Sequence, residues 1–170
     1  MSIKRAVFDN FESDFAAAEV SEGYNDWFPE DGTYECMMTS IVQVDCPFKE
    51  SDGTAHDGTL IKFHYRLLQD DERPDNPRSF EGGPMVFPDC GKTGLMTEGG
   101  QTRVDIALKT LKGTLTHVLG DVATMSSGLE QIEDLLATQE VPVRVRCKTR
   151  EGKNGKSYGG ETVIERLPES

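Results

Sequence analysis

Apolar and polar residues alternate most cleanly between Val141 and Arg150, where Val141, Val143, Val145, Cys147 and Thr149 share one parity and Arg144, Arg146, Lys148 and Arg150 share the other. A period of two places the two sets on opposite faces of a β-strand. The same reading predicts a strand over 59–68, with Ile61, Phe63, Tyr65 and Leu67 on one face and Leu60, Lys62, His64, Arg66 and Leu68 on the other. Gly32 to Val44 reads as a first strand, its face made by Tyr34, Cys36, Met38, Val42 and Val44 with Ser40 between them. Pro84 to Phe87 is a short third strand. Lys156 to Leu167 is a fifth, joined to Val141–Arg150 by the turn Gly152-Lys153-Asn154-Gly155. The pair Gly159-Gly160 suggests a bulge or a close backbone approach.

The period changes between the third and fourth strands. Val104, Ala107, Leu108, Leu111, Leu115, Val118 and Leu119 recur at steps of three and four, which predicts an amphipathic helix. Gly113 weakens it and Gly120 stops it. A second helix is expected from Ser127, with Glu130 completing a capping box and Leu129, Ile132, Leu135 and Leu136 as its apolar face. Residues 47–58, 69–83 and 89–100 read as loops. Upstream, Phe8, Phe11, Phe15 and Ala18 share one face of a short helix, either packed on the domain or part of a mobile arm. The expected organisation is an acidic arm over 1–30 and one domain over 31–170. The fold class is mainly β with helices: a five-stranded OB-type barrel with a helical insertion between strands 3 and 4.

With 170 residues the chain is long enough for one domain with a proper core. No apolar run approaches the roughly 20 residues of a membrane helix, and Met1 to Arg5 is not followed by a signal-peptide core. A cytoplasmic protein is expected, with no membrane partner. The net charge of −12 argues alone against nucleic acid, but the charge is sorted. From Pro142 to Tyr158 there are six basic residues and one acid, a local +5, so the remainder carries −17. From Asp9 to Asp31 there are eight acids and no Lys or Arg. That asymmetry says more than the total.

The ladder Arg144, Arg146, Lys148 and Arg150 repeats at roughly 6.6–7 Å, close to the phosphate spacing of an extended single strand. The plainer alternative is a solvated outer face. Lys62, His64 and Arg66 form a smaller stripe of the same kind. Lys153, Lys156 and Tyr158 belong to the last hairpin, where Tyr158 either stacks on a base or serves the core or turn. Trp27 and Phe28 either plug an end of the barrel or stack on bases. The acidic arm is a solubilising segment, a competitor for the basic strand, or a recruiter of a basic partner.

Enzyme signatures are missing: there is no P-loop, no GxSxG and no HExxH, and His56, His64 and His117 carry no triad or metal spacing. No enzyme activity, cofactor or metal is expected. Cys36, Cys46, Cys90 and Cys147 read as reduced, buried apolar residues, with a metal site as the lesser alternative. Asp89-Cys90-Gly91-Lys92 is the one place where a reactive thiol is weighed against that reading.

Gly32-Thr33-Tyr34-Glu35 opening the first strand, the Gly58–Leu68 strand, the helix around Val104–Leu119 and the closing Tyr158–Pro168 strand together resemble phage-type OB-fold single-stranded DNA-binding proteins, over roughly residues 29–168. The resemblance implies a protein that coats single strands in replication or recombination, in a host cytoplasm if of phage origin. It also implies replication or recombination proteins and a homo-oligomer as further partners. The expected nucleic-acid site is Lys62, His64, Arg66, Arg144, Arg146, Lys148, Arg150, Lys153, Lys156 and Tyr158. The competing expectation is an acidic protein-interaction module, such as a phage accessory or inhibitor protein. The family's acidic tail has no counterpart in Arg166-Leu167-Pro168-Glu169-Ser170; here the acidic segment is N-terminal.

Overall fold

A computed structural model of the chain describes residues 12–17, 27–50, 52–91, 103–151 and 157–169. In chain order the elements are α1 (Glu12–Ala17), β1 (Gly32–Asp45), β2 (Phe48–Lys49), β3 (Ala55–His56), β4 (Gly58–Leu67), β5 (Ser79–Glu81), β6 (Met85–Pro88), α2 (Arg103–Leu119), α3 (Met125–Thr138), β7 (Val141–Glu151) and β8 (Ser157–Arg166). The protein is mainly β with two long helices. One antiparallel sheet carries the order β5-β4-β1-β7-β8, with β6 also paired to β4; β2 and β3 form a separate two-stranded ribbon.

β1 organises the sheet because it is long enough to serve two neighbours. Its first half, Gly32 to Met38, pairs with β7, and its second, Cys36 to Asp45, pairs with β4. Between them Thr39 is an extra residue, since Met38 faces Tyr65 and Ser40 faces His64. Thr39 Oγ1 donates to the His64 carbonyl at 3.2 Å, which ties down the bulge. An inserted residue inverts the parity beyond it. Cys36 and Met38 are buried, but the inner row continues as Ile41 and Gln43, and Val44 is exposed. The expected grouping of Val42 and Val44 with Cys36 and Met38 is therefore corrected.

On β4 the alternation holds: Ile61, Phe63, Tyr65 and Leu67 are buried, and Lys62, His64 and Arg66 lie on the other face. β7 likewise buries Val141, Val143, Val145 and Cys147. These rows meet Leu111, Leu115 and Val118 of α2 and Ile132 of α3 in a single core. α2 packs against β8 and β6, and α3 against β1 and α2. Phe80 of β5 stacks on Tyr65 with 5.2 Å between ring centroids, and Trp27 and Phe28 set their edges against Phe80. These two aromatics thus cover one flank of the core.

The closed five-stranded barrel expected from the strand order is not what the ladders form. Among the described residues no ladder joins β8 to β5 or β6, and the sheet stays open. The expected third strand at 84–87 is the four-residue β6, and β5, beside β4, has only three residues; both are too short to reach across. α2 covers the gap instead. The loops read at 47–58 and 69–83 hold β2, β3 and β5, whose short lengths hide any period. The second helix starts earlier than expected. Thr124 is its N-cap, accepting from the Ser127 N–H, and Ser127 completes the box in the place given to Glu130. The register break in the last hairpin lies between Arg144 and Val145, while Gly159 and Gly160 pair in step with Thr149 and Lys148.

Candidate nucleic-acid interface

The outer face of the sheet collects the basic residues from two strands separated by β1. β4 contributes Lys62, His64 and Arg66, and β7 contributes Arg144, Arg146 and Lys148. Register sets Lys62 opposite Val42 and Arg66 opposite Met37, with Arg146 opposite Thr33 on the other side of β1. A strip of small and apolar side chains, Met37, Ser40 and Val42, thus runs beside the β4 row.

Carboxylates quench much of this charge. Lys62 Nζ lies 3.0 Å from Glu81 Oε2, and His64 Nε2 lies 3.6 Å from the other oxygen of Glu81. Arg66 makes a two-pronged pair with Glu140 at 3.0 and 2.5 Å. That pairing holds the Glu140 carboxyl below its ordinary range and raises Arg66. Arg144 binds Glu35 at 3.3 Å and Glu165 beside it on β8. Such half-exposed pairs contribute only about 0–1 kcal/mol each to stability. Their larger effect is on the local potential, which they bring close to neutral over β4 and the start of β7.

Arg146 and Lys148 differ. Both are exposed, and neither has an ion-pair partner among the described residues. Across from them on β8 stand Thr162 and Gly160, which carry no charge. The free positive face is therefore the distal part of β7, running toward the β7–β8 turn. The backbones of Arg150 and Tyr158 pair there; their side chains lie outside the described residues, as do Lys153 and Lys156.

The ten expected site residues therefore fall into three groups. Lys62, His64, Arg66 and Arg144 share the face but are matched by acids. Arg146 and Lys148 are on the face and unmatched. For the remaining four the surroundings lie outside the described residues. Sequence reasoning missed the quenching acids because they come from other elements, Glu140 being 74 residues from Arg66 and Glu35 being 109 from Arg144. Only Glu165 follows from hairpin geometry, and the register break displaces it.

A second feature was also unforeseen. Glu161 of β8 points inward, is 9% exposed, and accepts from the Gly83 N–H at 2.6 Å. Burial pushes its carboxyl up to about 7, against the opposing pull of that hydrogen bond. A Cβ on Gly82 would sit 2.2 Å from Glu161 Oε1, so a side chain at this position would have to displace the Glu161 carboxyl. This contact is where β8 and the β5–β6 turn approach each other. It opens on a cleft of about 600 Å³ lined by Phe48, Lys49, Met85, Arg103 and Val104.

Among the described residues no group of three or more His, Cys, Asp or Glu side chains is placed to hold a metal ion. No helix among them is long and apolar enough to cross a membrane. Comparison with protein families, with curated proteins and with solved structures finds no match to the chain.

Proposed function

We propose that this protein binds single-stranded DNA without catalysis, along the outer face of β7 and its hairpin to β8, and that the sheet is a partly open OB-type barrel. The barrel reading is supported by the strand order. A long first strand shares its halves between the second and fourth strands, and Glu161 meets Gly83 where a barrel would close. The DNA reading rests on one observation above the rest: Arg146 and Lys148 stand on one face of β7, without acid partners among the described residues, in a chain of net charge −12. Phosphates would sit on that row. Tyr158 and the Met37–Val42 strip are the candidate surfaces for bases. A role in replication or recombination, and assembly into homo-oligomers, are parts of the same proposal.

The test is a fluorescence titration of labelled oligo-dT against salt, beside duplex DNA at matched salt. Binding at low salt should favour the single strand, and each phosphate contact should add about 0.7 to the slope of log affinity against log salt. Arg146→Glu with Lys148→Glu should flatten that slope and weaken binding at least about tenfold. Lys62→Glu, in a residue already paired with Glu81, should do much less. No binding at low salt, or binding indifferent to the Arg146/Lys148 reversal, would sink the reading and leave the acidic surface as the working face.

A further inference from the structure

Two side chains of the β2–β3 ribbon and one from the turn after β6 form a hydrogen-bonded chain. Cys90 Sγ lies 3.2 Å from His56 Nδ1, and His56 Nε2 lies 3.0 Å from Glu50 Oε2. The ribbon holds them. Glu50 and Thr54 close the β2–β3 turn, with Glu50 N donating to Thr54 O at 2.9 Å and Gly53 N to Glu50 O at 2.9 Å. His56 ends β3 with its ring stacked on Phe48. Cys90 follows β6, where Asp89 N donates to Asp57 O at 2.9 Å and Gly91 turns with a φ of +87°. His56 and Glu50 are largely covered, at 22% and 17% side-chain exposure, while Cys90 is exposed.

The arrangement determines the imidazole tautomer. An ionised carboxylate only accepts, so Nε2 carries the proton given to Glu50. Nδ1 is then left with its lone pair toward the thiol. A nucleophile, a base and a group that orients the base are all within hydrogen-bond reach. The other three thiols lack this. Cys36 and Cys147 are buried, and burial pushes both thiols up to about 12. Cys46 Sγ donates to the Pro47 carbonyl at 3.5 Å.

The reaction class follows from what flanks the sulfur. Acyl transfer needs free amide donors for an oxyanion. The Asp89 and Gly91 N–H groups on either side of Cys90 are already bonded, to Asp57 O and Pro88 O, so this turn offers at most the Cys90 N–H and not the pair of donors an oxyanion hole uses. Thiol–disulfide exchange spreads its charge over sulfurs and needs no such hole. We propose that Cys90, with His56 as base and Glu50 as its positioning residue, is a thiol-exchange site that takes a low-molecular-weight disulfide. His56 Nδ1 takes the Cys90 proton. The thiolate attacks one sulfur of the disulfide, a new S–S bond forms as the old one breaks, and the departing thiolate takes the proton back from His56. Cys90 is oxidised to a mixed disulfide and the small disulfide is reduced to one free thiol. This site is independent of the DNA-binding proposal.

The reduced full-length chain, incubated with glutathione disulfide and followed by intact-protein mass spectrometry with peptide mapping, tests this. One adduct should form, on Cys90, and Cys90→Ser should abolish it. Cys90 should react at least about tenfold faster in the folded chain than in urea, a comparison that needs no variant. His56→Gln should slow the folded rate by about tenfold or more. Glu50→Gln should change the pH profile of the rate, which a merely structural role would leave in place. Modification of Cys46 at an equal rate, a folded rate no greater than the unfolded one, or an unaltered rate in a His56→Gln chain with native circular dichroism overturns the proposal.

Discussion

Glu161 is a carboxylic acid kept largely from water beside Gly82 and Gly83, and its folded value near 7 lies above the ordinary 4.5. Between those values the folded chain holds a proton that the unfolded chain has released, so stability falls as pH rises from about 4.5 through about 7 and is level above. The full difference is on the order of 3 kcal/mol. Urea melts across this range should show the decline, and Glu161→Gln should remove most of it, because an amide oxygen still accepts from Gly83 without ionising. A midpoint that rises with pH in this window would refute the assignment. The neighbouring Gly82→Ala should cost about 1–3 kcal/mol in the same assay, since its methyl group falls on the Glu161 carboxyl. Paired with Glu161→Ala, the cost should shrink.

Among the elements, α3 shows how a local signal can be read in kind and missed in place. Thr124→Ala should destabilise the chain by about 1 kcal/mol, read from its denaturation midpoint, because the Ser127 N–H loses its acceptor. Glu130→Ala should change little, being exposed and outside the box. The β4 and β7 strands were legible because each keeps one parity throughout. β1 was not, because Ser40 lies where the Thr39 bulge inverts the pattern, and one polar residue in an apolar row looks the same with or without a bulge. β5 is three residues long and anchored by Phe80, so its strand character comes from pairing with Tyr65 beside it on β4 and not from its own sequence. The loop before it is ordered by Asp70, which accepts from Arg78 Nε at 2.8 Å and from the Arg78, Glu72 and Arg73 N–H groups. Those bonds hold the Asp70 carboxyl far below its ordinary range. Arg78 in turn lies 4.1 Å over the Trp27 ring, a contact that no local pattern announces.

At the scale of the whole molecule, sorting of charge was legible and its neutralisation was not. The sign of each segment is additive along the sequence, whereas pairing depends on which distant acid the fold delivers to each base. High salt should therefore weaken DNA binding through Arg146 and Lys148 while leaving thermal stability little altered, because the matched surface pairs contribute little. A melting temperature that collapsed together with the affinity would contradict that separation. The double pairing of β1 also bears on time. Its ladder to β4 joins residues close in sequence, but Gly32 must wait for Cys147 before its own row can close. On a ribosome the β1–β4 hairpin emerges long before β7 exists, with one edge of β1 unpaired and Cys36 and Met38 uncovered. Refolding of the full chain should accordingly be limited by this late, long-range closure, and nascent chains halted before β7 should be the ones that chaperones hold and that aggregate.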